Sequence, residues 1–497
     1  MSDEKYSAET GPGESHQFDR SDAPRTAEGL TDWTIPVIPS TRIDPEDWAW
    51  AHEQRKPVDP DITVDQVAAI LLVHQAAGWL PRALNALRRS GERAAVQIAV
   101  DLGSTDGSSD LLMAAVDEGL LDECVTASAD TTPGEGINLA IDRLTDGVTH
   151  IWILHDDVEV RRDSLTCMLR EASRKPHPDV LYPTLLKPAR HNYPEFIDEQ
   201  GQSVSTGGAR VLPVVDRGDI DQKQADPGPI LGGSTAGMFV RVDVWRRLGG
   251  FDPALPLFRD GVDFGWRANE AGMVVRTAPS CTIHHRQAGR GWQRESHLAP
   301  RPDVTDRLAG MRMVAARTGH PTRTSLALLV ASVWRFLVLM VGKAPSRAVD
   351  EWRSGLQLWR SRSVTREMTH RLQDFHAQCD PDDLENTNRL LPSRRSVWAR
   401  AVDRYAGDLS DRIHPWRNED GTTIDDLTGD DFTVRDHRSV VNPYTVMVSL
   451  MVVIGIVACR GLYGSGRATS TWLAPAPCGL AGAWHRWLTA VPGLSGG

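Results

Sequence analysis

Three short apolar runs, each stopping at a polar turn, limit what this chain can fold into. Val67-Ala-Ala-Ile-Leu-Leu-Val73 gives way to His74-Gln75. Val96-Gln-Ile-Ala-Val100 runs into Asp101-Leu-Gly-Ser-Thr-Asp-Gly-Ser108. His150-Ile-Trp-Ile-Leu154 ends in His155-Asp156-Asp157. Runs this short and this apolar read as strands buried in a sheet. Helical spacing separates them. Leu80, Leu84 and Leu87 share one face of Leu80–Arg89, Ser108 or Ser109 can cap a helix over Asp110–Ala115, and Ile137–Leu144 reads as another helix. Strand and helix in alternation predict an α/β domain. Further on, Asp243–Leu248 is a short helix closed by Gly249-Gly250. Asp260-Gly-Val-Asp263 opens a helix that Gly272 stops, and a strand over Val274–Ala278 precedes Thr282-Ile-His-His285.

Composition excludes some classes of function. A hydrophobic fraction of 40% suits a soluble core and is too low for a polytopic membrane protein, and a net charge of -11 argues against a nucleic-acid partner. The charge is uneven: Arg286–Arg371 holds 16 Lys/Arg against 6 Asp/Glu, a net of +10 beside -21 for the rest. A basic block next to apolar runs is what an anionic membrane surface attracts. Ser325–Gly342 is apolar except for Arg335 and, with Trp334 and Arg335 at mid-segment, suits an in-plane helix. Tyr444–Cys459 is the cleaner candidate for a membrane span. The six cysteines are scattered with no CxxC pair, which fits a reducing compartment, and the polar, acidic N-terminus has no signal-peptide pattern.

The expected organisation runs in seven parts. A disordered tail covers 1–30, an irregular arm 31–64 and the catalytic α/β domain 65–300. Basic, amphipathic or apolar helices cover 301–362 and a polar helical or linker region 363–440. A candidate transmembrane helix follows over 441–462, then a Gly/Pro-rich tail over 463–497 that reads as the start of a longer, truncated membrane region.

Ligands of open α/β sheets bind at the carboxyl ends of strands, so the polar clusters there are candidates for one site. Asp101 and Asp106 could accept hydrogen bonds from a ribose or a base edge, although Ser-Thr-Asp-Gly is also an ordinary turn. Adjacent carboxylates repel, so Asp156-Asp157 at a strand end calls for a cation, and Mg²⁺ or Mn²⁺ prefers such ligands. Asp260 and Asp263 sit at a helix start, where a carboxylate is a cap or a general base for a hydroxyl. His284-His285 can supply an imidazole to a metal.

Taken in order, these segments resemble the inverting glycosyltransferases of family 2, which have the glycosyltransferase-A fold, a Rossmann-like domain on a mixed central sheet. Val100-Asp-Leu-Gly-Ser-Thr-Asp-Gly107 is similar to the family's VDNGSTDG signature, and Gly134-Glu-Gly-Ile-Asn138 to its helix start. Leu154-His-Asp-Asp-Val158 stands where the family has DxD. Gly232-Gly-Ser-Thr-Ala-Gly237 with Leu248-Gly-Gly-Phe-Asp252 resembles its acceptor-side region, and Asp260-Gly-Val-Asp-Phe-Gly-Trp-Arg267 resembles EDVDLGWR. The resemblance implies that Asp101, Asp106, Asn138 and Asp156 contact the donor nucleotide. It implies that Asp157 and His284, with His155, hold a divalent metal (Mn²⁺ or Mg²⁺). Asp260, or else Asp263, would be the base, and Arg267 would balance nearby carboxylates. Two positions depart from the pattern: His155 replaces the first acid of DxD, and Gly261 replaces a second acid. The chain also resembles large actinobacterial membrane-linked members. That implies a nucleotide-sugar donor of galactofuranose or rhamnose type, a cell-envelope or lipid-linked glycan acceptor, and work at the cytoplasmic face of the membrane. A catalytically silent nucleotide-sugar-binding or assembly module at the membrane is the alternative.

Overall fold

The structure, a computed structural model, describes residues 60–189, 194–289, 294, 296–341, 344–393, 451 and 454 of the 497. In chain order its first half holds β1 (Val67–Val73), α1 (Leu80–Arg88), β2 (Val96–Leu102), α2 (Ser108–Asp117), β3 (Glu123–Ala127), α3 (Pro133–Ile141), β4 (His150–His155), β5 (Val158–Val160), α4 (Ser164–Ala172) and β6 (Val180–Leu186). Then come β7 (Ile197–Glu199), β8 (Ser203–Val204), β9 (Arg210–Val211), β10 (Phe239–Arg241), α5 (Val242–Leu248), α6 (Asp260–Glu270) and β11 (Val275–His285). Five helices follow: α7 (Pro302–Ala316), α8 (Pro321–Val341), α9 (Pro345–Arg360), α10 (Arg362–His376) and α11 (Pro381–Asn388).

Nine strands form one mixed sheet in the order β3-β2-β1-β4-β10-β6-β11-β5, with β7 on β6. β1, β2, β3 and β4 run parallel, β10 lies antiparallel between β4 and β6, and β11 runs parallel to β6. The continuous apolar run of β1 follows from burial on both faces. Its odd residues Ala69, Leu71 and Val73 pack under α1, α2 and α4, through Leu80, Leu112 and Met168. Its even residues Ala68, Ile70 and Leu72 pack under α3, α5 and α6, through Ile137, Trp245 and Phe264. The period of two in a strand thus builds a three-layer α/β/α domain.

Register decides where the polar clusters go. Val73 lies beside Asp101 and Leu72 beside His155, so the carboxyl ends of β1, β2 and β4 share one edge. β11 pairs His285 with Val158 of β5, which brings the late histidines to the turn after β4.

Several element ends differ from the sequence expectation. α3 starts earlier, at Pro133, because Thr132 and Glu135 form a capping box: Glu135 N donates to Thr132 Oγ1 at 3.3 Å, and Thr132 N to Glu135 Oε2 at 2.8 Å. α2 begins at Ser108 behind Gly107, whose φ of 91° needs a glycine, so neither serine caps it. β11 runs past Ala278 to His285 through an irregularity between Ala278 and Thr282. Of the expected arm, only residues 60–64 are described. The N-terminal tail, the tail after 463 and the segment Tyr444–Cys459, apart from Met451 and Ile454, lie outside the described residues.

The helices after residue 300 lock onto α6. Asp263 is fully buried and accepts from Arg267 Nε at 2.8 Å and from Arg317 Nη1 at 2.9 Å. Burial works against its charge, but the two guanidinium groups hold its carboxyl below the ordinary carboxylate range. Trp266, Met313, Met368 and Leu372 add an apolar seam. Breaking a buried ion pair from one side leaves charges uncompensated. Asp263→Ala is therefore expected to cost about 3–5 kcal/mol of stability in urea unfolding; a loss below about 1 kcal/mol would show that the triad is not a structural lock.

Candidate active site

β4 delivers His155, Asp156 and Asp157 to the sheet edge, and the two acids diverge there. Asp156 turns inward: it accepts from His74 N at 2.9 Å and from Trp79 Nε1 at 3.2 Å, and it pairs with Arg294. Arg294 in turn lies over the Trp79 ring, 5.4 Å from its centroid. Asp157 faces the other way. Its Oδ1 is 3.5 Å from His285 Nε2, and its Oδ2 accepts from Ala288 N at 2.8 Å. Burial opposes its charge, but His285 and Arg294 hold the carboxyl well below the usual range.

His155, Asp157 and His285 present one ligand atom each, all within 4.8 Å of one another. Burial pushes His155 down to about 4, so its ring is neutral at pH 7, the form that ligates metals. Its Nε2 sits 2.9 Å from Thr235 Oγ1, a contact that fixes the ring. His285 Nδ1 is buried with no hydrogen-bond partner. Two imidazoles and one carboxylate are a donor set that suits Mn²⁺ better than Mg²⁺, which favours oxygen ligands. The residues fit a divalent ion.

These three line a cavity of about 170 Å³ together with Asp260, Glu199 and Arg210. Burial raises the Asp260 carboxyl to about 6, against the backbone hydrogen bond from Gly261 N at 2.9 Å and the charge of Arg210. Arg210 is itself held at 3.2 Å from Glu199 and 2.7 Å from Asp306. Asp306 also takes Arg259 at 2.7 Å, so the cavity wall is backed by a chain of alternating charges. A side chain at Gly261 would place its Cβ 2.6 Å from the carbonyl oxygen of Gly233. The missing second acid thus has a steric cause, the close approach of the 232–235 loop.

The structure brings together only some of the residues expected from sequence. His155, Asp157 and Asp260 line the cavity. His284 does not: its Nε2 lies 3.3 Å from Glu195, because consecutive strand residues face opposite ways and His285 is the one turned to Asp157. Asp263 is enclosed by its two arginines. Asp101 closes its own loop, accepting from Ser104 N at 2.9 Å and from Ser109. Asp106 ties that loop to the end of β1, accepting from Ala77 N at 2.8 Å. Asn138 accepts from Trp245 Nε1 at 2.8 Å, and Asp156 is occupied as described. None of these six lines the cavity. Sequence reading missed Thr235, Glu199 and Arg210. Thr235 stood inside a motif already in view, whereas Glu199 and Arg210 lie in a polar stretch with no periodic signal.

No family model matches the chain. Over 253 residues it is 26% identical to the N-acetylglucosaminyl-diphospho-decaprenol L-rhamnosyltransferase of Mycobacterium tuberculosis, strains CDC 1551 / Oshkosh and ATCC 25618 / H37Rv, spanning 47% of this chain and 81% of that protein. Similar solved structures include GalNAc-T7 with UDP, GalNAc and Mn²⁺, at TM-score 0.40, 12% identity and 51% coverage of each chain, so that this chain spans about half its length. Another is the mannosyltransferase PcManGT of Pyrobaculum calidifontis with GDP-Man and Mn²⁺, at TM-score 0.38 and 15% identity, covering 64% of this chain and 94% of that one. The order of the motifs along the sheet edge and the similarity to this rhamnosyltransferase agree with the resemblance to family 2 glycosyltransferases of the glycosyltransferase-A fold.

Proposed function

We propose that the chain transfers a sugar, of rhamnose or galactofuranose type, from a nucleotide-sugar donor to a lipid-linked envelope glycan, with inversion at the anomeric carbon. One observation carries the reading. An acid raised to about 6 and a cluster of two imidazoles and a carboxylate line the same cavity. The activity of the mycobacterial relative favours rhamnose and a polyprenyl-diphosphate acceptor.

The two acids of α6 have separate duties. Asp263 is committed to Arg267 and Arg317, whereas Asp260 has only a backbone donor on its Oδ1. Asp260 takes the proton from the acceptor hydroxyl. The oxygen then forms its bond to the anomeric carbon as the bond to the nucleoside diphosphate breaks on the opposite face. A divalent ion held by His155, Asp157 and His285 would supply positive charge opposite the donor's diphosphate.

The membrane part of the reading rests on α8. Its 20-residue apolar stretch has mean hydropathy 1.5 and is only 17% buried. One face, with Ser325, Leu328 and Ser332, is buried on the protein, while Val330 is 61% and Trp334 68% exposed. The docked face leads into charge: Glu351 of α9 is 2.8 Å from Arg307 and 3.1 Å from Arg335. Carrying that node into hydrocarbon would cost several kcal/mol, roughly 2.5–3.5 per charge. We therefore place α8 in the membrane plane, at the cytoplasmic face, with Trp334 in the interface.

Three outcomes are expected. Asp260→Asn should lower kcat by at least about 100-fold with donor binding retained in calorimetry. In the wild type, kcat/KM should rise with pH through about 6, as the base ionises; near-normal turnover of the variant, or a flat profile between pH 5 and 8, would remove Asp260 from the role. Asp157→Ala and His285→Ala should each weaken Mn²⁺-dependent donor binding about tenfold or more, and His284→Ala should not; equal affinity with Mn²⁺ and with chelator in the wild type would sink the metal assignment. Val330→Asp with Trp334→Asp should release the full-length chain from phosphatidylglycerol vesicles in flotation, and unchanged flotation would reject α8 as the contact.

A further inference from the structure

A second cavity, of about 580 Å³, adjoins the catalytic one, and Leu257 and Leu298 line both. Its chemistry is different. Apolar side chains supply much of the surface, among them Val304 and Leu308 of α7 and Leu356 of α9. Four arginines stand around it, Arg301, Arg312, Arg353 and Arg360, and no carboxylate is among its lining residues.

The arginines are poorly compensated. Arg353 and Arg360 are seven residues apart on α9, so they share one side of the helix with Leu356 and Gln357 between them. Neither has an ion-pair or hydrogen-bond partner among the described residues. Arg301 comes no nearer than 4.0 Å to Asp350. Arg312 is buried: it donates to Ala254 O at 2.6 Å and Ser361 Oγ at 2.8 Å, and its buried Nε has no partner. Arg301, Arg353 and Arg360 are exposed at the groove's edge, whereas Arg312 is buried without an acid, unlike the buried guanidinium groups of Arg210, Arg267 and Arg317. Four cations around an apolar trough repel one another unless an anion joins them. Guanidinium groups are the side chains best shaped for phosphate oxygens.

An anion alone would not need an apolar lining, and an apolar chain alone would not need four arginines. We propose that this groove binds the diphosphate and first isoprenoid units of the acceptor lipid while its sugar enters the catalytic cavity past Leu257 and Leu298. The assignment rests on the lipid-linked acceptor of the proposed function and names where that lipid is held. Position supports it: α9 lines the groove and also packs along α8, through Gly355 against Ser332, so the groove is built on the helix pair that carries the exposed apolar face.

The test is equilibrium binding of farnesyl diphosphate to the full-length chain in detergent, beside inorganic pyrophosphate as the tail-free probe. The wild type should bind farnesyl diphosphate saturably and at least tenfold more tightly than pyrophosphate. Arg353→Gln with Arg360→Gln should weaken farnesyl diphosphate binding at least tenfold, and Arg301→Gln, at the exposed rim, should weaken it in the same direction. Absence of binding by the wild type, equal binding of the two probes, undiminished binding by the double variant, or full displacement by phosphatidylglycerol would each overturn the assignment. Calorimetry of donor with Mn²⁺ on the same samples reads the catalytic cavity independently. Loss of donor binding in the wild type would count against the transferase reading, while the groove is judged on farnesyl diphosphate alone.

Discussion

The buried carboxylate of Asp156 is the interaction on which the site depends. Its two oxygens gather the backbone at the end of β1 through His74 N, the indole of Trp79 at the start of α1, and Arg294 from far along the chain. A carboxylate out of water must be met by donors on every side, and here the donors come from three parts of the fold. Because Asp156 is turned inward, its neighbour Asp157 is free to face His285. The strand end thus separates two adjacent acids that would otherwise repel, one becoming an anchor and the other a ligand.

The same separation recurs on α6. Asp260 and Asp263 are three residues apart, yet one carries its proton up to about 6 and the other is held ionised by two guanidinium groups. Burial acts on both in the same direction. What differs is the company: Arg267 and Arg317 contact Asp263 directly, while Asp260 receives only a backbone donor and the more distant charge of Arg210. The helix start is therefore an acid–base group resting on a structural one.

Much of this was legible in the sequence, for identifiable reasons. The apolar runs of β1, β2 and β4 have the length and continuity of strands covered on both faces, and the layers above them follow from a period of two. His155, Asp157 and Asp260 drew attention because each stands at or next to the end of a strand or the start of a helix. The choice of His284 over His285 failed at one step of strand alternation, which depends on where β11 begins its irregularity near Ala278 and Thr282. Asp101 and Asp106 looked like ligand contacts, but their oxygens are taken by the loops they close. Glu199 and Arg210 were invisible because they reach the cavity from short strands, and only tertiary packing brings them there.

The carbonyl of Gly233 beneath Gly261 carries a lesson for changing this enzyme. Position 261 cannot regain an acid by substitution alone, since a Cβ there would meet Thr235 Cγ2 at 2.8 Å and, nearer still, the Gly233 carbonyl oxygen at 2.6 Å, main chain that cannot swing aside as a side chain can. The two sites are a single unit of sequence change: any lineage or library that alters one must first reshape the loop that holds the other. A departure that reads as decay of a motif is, in this fold, the price of bringing the loop with Thr235 close enough to hold His155.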